Sequence, residues 1–122
     1  MEYKQTQPIY LQISDLICES ILTKTWQEEE RIPSVRDMAV QYEVNPNTVM
    51  RAFTYLQEKG IIYNQRGIGY FVSPGAYKNT LELKREDFRR NDLPYFVKMM
   101  NLLNITVDEI KEYFNAFAKE RI

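Results

Sequence analysis

Ile32-Pro-Ser-Val-Arg-Asp-Met-Ala39, Val44-Asn-Pro-Asn-Thr-Val-Met-Arg-Ala-Phe53, Leu56-Gln-Glu-Lys-Gly-Ile-Ile-Tyr63 and Arg66-Gly-Ile-Gly-Tyr-Phe-Val72 follow one another along this chain. Ser34 can cap a helix, and Asp37 stands three residues on as in a capping box. Val35, Met38 and Ala39 would face inward and Arg36 outward. Asn45-Pro46-Asn47-Thr48 is the strongest local signal, because asparagine is a good N-cap and proline suits the first helical position. Val49, Ala52, Phe53 and Leu56 then recur at helical spacing as a buried stripe. Asn47, Thr48, Met50, Arg51 and Tyr55 remain for the outer face. Gly60 closes this second helix. Ile61-Ile62-Tyr63 and Tyr70-Phe71-Val72 are rich in β-formers, and the loop from Gln65 to Gly69 carries glycines that permit positive φ. A short capped helix, a tight turn, a second helix and a hairpin make a winged helix-turn-helix. The expected fold is mainly α with a small β-hairpin wing, and short helices after it. The second helix of such a pair is shaped for the DNA major groove.

Working outward, residues 1–7 are expected as an extended arm, and Pro8 opens a first helix. Ile9, Ile13, Leu16, Ile17, Ser20, Ile21 and Lys24 keep helical spacing, and their apolar members form one stripe. Cys18 beside it is expected to act as a small hydrophobe. Trp26 is expected to pack at the bend after this helix. Ser73-Pro74-Gly75 is a boundary, with a linker expected at about 73–79. This divides the chain into a DNA-binding domain at 1–76 and a helical tail at 77–122. In the tail Leu81, Phe88, Leu93, Phe96, Val97, Met100, Leu103, Ile110, Tyr113, Phe114 and Phe117 are the apolar positions. Pro94 after Asn91-Asp92 implies a break there, and Thr106-Val107-Asp108-Glu109 is a capping box before a last helix at roughly 106–119. Helices this short cannot enclose a core alone, so their apolar faces need a partner, most simply a second copy in a homodimer.

The composition narrows the function. There are 122 residues, 44% of them hydrophobic, with a net charge of −1. No apolar run of membrane-spanning length occurs, and the N-terminus lacks the basic and apolar regions of a signal peptide. The single cysteine implies no intrachain disulfide, and a cytoplasmic, reducing location is expected. Residues 1–76 hold seven basic and nine acidic side chains, whereas residues 32–72 with Arg31 hold five and three. DNA binding therefore requires Arg36, Arg51 and Arg66 on one face and the Glu28-Glu29-Glu30 run elsewhere. There is no histidine, no nucleophile motif, no glycine-rich phosphate loop and no metal-ligand cluster. No enzyme, no cofactor and no metal are expected.

From Pro-Ile-Tyr at Pro8 to the wing at Val72, these blocks resemble the GntR family of transcriptional regulators in order and spacing. The Asn-Pro-Asn-Thr form and the short tail resemble its YtrA-like subfamily, small dimeric regulators that often repress operons encoding ABC transporters. The resemblance implies a homodimer on a pseudo-palindromic double-stranded DNA operator. It assigns DNA contacts to Arg36, to Asn45, Asn47 and Thr48 at the start of the recognition helix, and to Arg66 and Gly67 at the wing tip; Arg51, on the outer face of the same helix, is expected to add another. The chain departs from the pattern at Met50, where many relatives carry arginine. It departs again at Glu28-Glu29, where relatives usually carry Pro-Gly, so the turn after Trp26 is expected to differ. The tail is too short for the family's large ligand-binding domains, leaving only the dimer face for a small-molecule effector whose identity the sequence does not carry. The alternative is a winged-helix module for protein interaction without DNA binding.

Overall fold

A computed structural model of the chain describes residues 7–118. The first compact unit runs to Lys84 and the second begins at Arg85. In the first, α1 (Ile9–Leu22), α2 (Val35–Tyr42) and α3 (Pro46–Glu58) precede a hairpin of β1 (Ile62–Gln65) and β2 (Gly69–Val72), followed by α4 (Ala76–Asp87). The wing pairs Ile62 with Val72 and Gln65 with Gly69, antiparallel. It is preceded by the helix pair, as the sequence implies, and most of residues 1–7 lie outside the described residues.

Local chemistry sets the helix ends. The Ser34 hydroxyl accepts from the Asp37 N–H at 3.0 Å, and the Asn45 side chain accepts from the Asn47 N–H at 2.7 Å with Pro46 behind it. Each such cap is worth about 1 kcal/mol. Between them, Glu43 closes α2 in the left-handed conformation (φ 55°) and swings the chain into α3. α3 packs on both α1 and α2. Val49, Ala52, Phe53 and Leu56 are fully buried against Ile13, Ile17, Cys18 and Ile21 of α1, Met38 and Ala39 of α2, and Ile61, Ile62 and Val72 of the hairpin. Burying a side chain the size of Phe53 or Leu56 contributes about 1.5–3 kcal/mol. Phe53 also meets Tyr70 edge-on, 4.7 Å between centroids, and Trp26 is half-buried against the core.

Several features depart from the sequence reading. Ile9 and Leu16 do not join the α1 stripe; they are 49% and 43% exposed, and Ser14 is buried with its hydroxyl on the Tyr10 carbonyl. Tyr55 is half-buried, not outward, its ring edge-on to Tyr10. A further strand-like segment flanks the wing: Ile32 N–H donates to the Tyr70 carbonyl, Val72 N–H to Glu30, and Glu29 N–H to Val72, around an isolated Arg31–Phe71 bridge. No linker spans 73–79. The chain turns at Ser73-Pro74-Gly75 and α4 starts at Ala76, so the expected boundary between 76 and 77 falls at the start of this helix. Ala76 and Thr80 are fully buried, and Lys84 pairs with Asp15 of α1 at 2.6 Å.

Glu28 explains how α4 is started. Its carboxylate accepts from the Gly75 and Tyr77 N–H groups at 2.9 and 3.3 Å, placing negative charge on the positive end of the helix dipole. Glu29 has φ 72°, the left-handed backbone that glycine adopts without strain. The turn expected to differ thus keeps a glycine-like conformation. The Tyr63 hydroxyl donates to Glu29 at 3.0 Å, a bond that raises the Tyr63 phenol above its ordinary range.

In the second unit, the end of α4 passes into a π-helical turn (Phe88–Asp92), α5 (Leu93–Leu102) and α6 (Val107–Phe117). A new helix starts beside Pro94 as the sequence implies, with the proline in the first turn of α5, but the chain stays helical through the junction rather than breaking. Leu93 N–H instead reaches the Phe88 carbonyl, five residues back. The wider turn accommodates a proline that would otherwise clash with the carbonyl four residues before it. α6 begins with the complete Thr106–Glu109 capping box. No residue of α5 or α6 is buried. Phe96, Val97, Tyr113, Phe114 and Phe117 are 45–68% exposed.

Candidate nucleic-acid interface

The outward face of α3 follows from its inward one. With Val49, Ala52, Phe53 and Leu56 facing inward, Asn47, Met50, Arg51 and Thr54 are exposed, and Thr48 is half-exposed. Asn47, Thr48 and Arg51 line one open groove of about 380 Å³ with Pro8, Ile9 and Tyr10 from the start of α1. Asn45 stands at the cap with its side-chain oxygen already engaged by the Asn47 N–H. The Arg51 guanidinium lies over the Tyr10 ring, 4.1 Å from its centroid. The Asn47 N–H is held by the Asn45 side chain and the Thr48 and Val49 N–H groups by the Asn45 carbonyl, so what this end of α3 offers a phosphate is the positive end of its dipole and the polar side chains of Asn47 and Thr48.

The other sequence-named residues lie on separate elements. Arg36 is exposed on α2, and Arg66 and Gly67 are exposed at the hairpin tip. Neither Arg36 nor Arg66 forms a hydrogen bond or ion pair among the described residues, and Arg36 pairs with neither of the nearby carboxylates in the sequence, Asp37 and Glu43. Gly67 has φ 79° and open space around its α-carbon, which suits a tip that must approach another surface closely. The acidic run is engaged elsewhere: Glu28 at α4, Glu29 at Tyr63, and Glu30 on the Gln27 N–H at 2.9 Å.

Sequence reasoning did not single out Arg31. The bridge to Phe71 carries it beside the wing, where its guanidinium covers Gly69. A β-carbon at Gly69 would stand 2.8 Å from Arg31 Nε. The signal for this was long-range strand pairing, which no local pattern announces. Among the described residues no group of acidic, histidine or cysteine side chains is placed to hold a metal ion. Among the described residues no helix is long and apolar enough to cross a membrane.

Residues 9–72 match the model of the family described as bacterial regulatory proteins, gntR family. The chain belongs to the gntR family. Over 118 residues it is 34% identical to the uncharacterized HTH-type transcriptional regulator YhcF of Bacillus subtilis, covering 97% of this chain and 96% of the relative. It is 27% identical to the HTH-type transcriptional repressor YtrA of the same organism, covering 96% and 89%. A gntR-family transcriptional regulator from Bacteroides thetaiotaomicron superposes with a TM-score of 0.73 at 44% identity, over 92% of this chain and 97% of that one. The DNA-binding domain of AraR in complex with operator ORR3 superposes with a TM-score of 0.56 at 25% identity, over 60% and 88%. This gntR chain is therefore a winged-helix, DNA-binding transcriptional regulator, in a family of regulators and not of enzymes.

Proposed function

We propose that the chain acts as a dimeric repressor on a pseudo-palindromic operator in the cytoplasm, with residues 1–76 holding DNA and 77–122 joining two copies. The observation that carries this reading is that Asn47, Thr48 and Arg51 line one open groove on α3, while Arg36 on α2 and Arg66 on the wing are exposed and unpaired among the described residues. A helix of this kind reads base edges while flanking arginines and polar side chains of its first turn hold phosphates. Arg36 and Arg66 take phosphates or guanine edges, Asn45, Asn47 and Thr48 take the strand at the start of α3, and Gly67 lets the wing tip come close. Arg31 adds a cation on the wing's flank.

Repression is supported by the likeness to YtrA, and the subfamily resemblance favours a transporter operon as the target. Dimerisation is supported by the exposed apolar residues of α5 and α6. Any small-molecule effector would take that same face. Selection of bound duplexes from a random DNA pool by the full chain, at two salt concentrations, tests the reading. Enrichment of a palindrome with half-sites about one helical turn apart, weakening steeply with salt, supports it. No enrichment at low salt overturns it in favour of a protein-interaction module, or of a regulator that needs an effector before it binds.

A further inference from the structure

Met50 is the one large apolar side chain on the outward face of α3, and it is 39% exposed. It lies one turn from Asn47 on one side and from Thr54 on the other. The cation beside it, Arg51, lies over the Tyr10 ring of α1, which leaves Met50 between Asn47 and Thr54 along the outward face. A thioether side chain makes at best a weak hydrogen-bond acceptor and has no donor. It cannot read the amino or carbonyl groups that distinguish guanine, cytosine and adenine. The major groove offers it a single apolar group, the C5-methyl of thymine. An unbranched, polarizable chain adapts well to such a methyl.

We propose that Met50 is a specificity-determining residue that selects thymine within each operator half-site through contact with its methyl group. This rests on the reading that α3 enters the major groove. Asn47 and Thr54 flank the contact with polar groups, so the methionine sets the identity of one base while its neighbours fix register.

The test begins with the duplex enriched from the random pool. Each thymine is replaced in turn, symmetrically in both half-sites, by deoxyuridine, which removes only the methyl. Affinity is read by fluorescence anisotropy for wild type and for Met50→Ala, whose exposed position and good helix propensity leave the thermal midpoint unchanged. At one thymine the wild type is expected to lose about fourfold per half-site, the worth of one buried methyl, and Met50→Ala to lose nothing there. Met50→Gln is expected to move the preference at that step towards adenine. Wild-type indifference to uracil at every position, or equal sensitivity in Met50→Ala, overturns the inference while leaving the operator reading intact. Failure to enrich any duplex overturns the operator reading, and this inference with it.

Discussion

The guanidinium of Arg51 sits 4.1 Å above the ring of Tyr10, and Tyr10 in turn meets Tyr55 edge-on at 6.2 Å. A side chain named from sequence as a DNA contact is thus also part of the α1–α3 seam. A cation–π contact at an exposed site contributes about 0.5–1 kcal/mol. It also restricts a long side chain before any ligand arrives. Arg51→Ala is expected to weaken operator binding by about 1–3 kcal/mol. Tyr10→Leu, which frees the arginine without deleting it, is expected to weaken binding by a smaller step, and Tyr10→Phe to leave it unchanged. Anisotropy titrations of the three variants check this. Wild-type affinity in Arg51→Ala would reduce the residue to packing alone.

Cys18 gives a pH prediction. Burial pushes its thiol up to about 11 from an ordinary 9.0; Lys84 opposes the shift and Asp15 adds to it. The folded state holds the proton more tightly than the unfolded chain. Its contribution is therefore complete below about pH 9 and is lost as pH rises towards 11, on the order of 2 kcal/mol in all. Urea midpoints between pH 8 and 11 should fall more steeply for wild type than for Cys18→Ala. A thiol reagent at pH 8 should react with the native protein only as fast as it opens; rapid native labelling contradicts the burial of this thiol.

Thr80 is fully buried in α4, and its hydroxyl has no hydrogen-bond partner among the described residues. An unmade bond in the interior carries the desolvation penalty without the gain. Thr80→Val, nearly the same shape, is expected to raise stability by about 1 kcal/mol and to leave DNA affinity unchanged. Urea unfolding reads the difference, and a loss of stability would show that the hydroxyl is satisfied.

Much of the winged domain is legible because its signals are local. Asn45-Pro46 dictates where α3 begins, and the spacing of Val49, Ala52, Phe53 and Leu56 dictates what it buries. The strand-like segment at Glu29–Ile32 is not legible. Its residues include acidic ones with poor β-propensity, and its partner Phe71 is distant in sequence. The start of α4 was hidden because Ala76 and Thr80 carry little apolar signal, and its cap comes from Glu28, far upstream. Pro94 reads as a helix break by local rules, and only the π-helical turn before it removes the conflict. For the site, exposed arginines at capped helices could be named from sequence. Arg31 could not, since strand pairing brings it to the wing.

The second-unit helices present a stripe that includes Phe114 at 68% exposed and Tyr113 at 63%, with the Tyr113 and Phe117 rings 4.6 Å apart. A partner that buries this stripe removes it from water. Phe114→Glu would place a charge in that contact, where desolvation without a partner is heavily unfavourable. Wild type is expected to sediment as a dimer at micromolar concentration and the variant as a monomer. A dimeric Phe114→Glu would move the contact to another surface.

Equilibrium binding to the enriched duplex and to a scrambled duplex of equal length, for wild type and Arg36→Ala across a salt series, bears on the assignment of DNA recognition to this helix-turn-helix face. Wild type should prefer the enriched duplex by about a thousandfold or more and weaken linearly in log–log salt dependence. Arg36→Ala should keep its thermal midpoint and bind about 1–3 kcal/mol more weakly. Equal affinity for the two duplexes, or an Arg36→Ala variant that binds as tightly as wild type, would contradict the assignment.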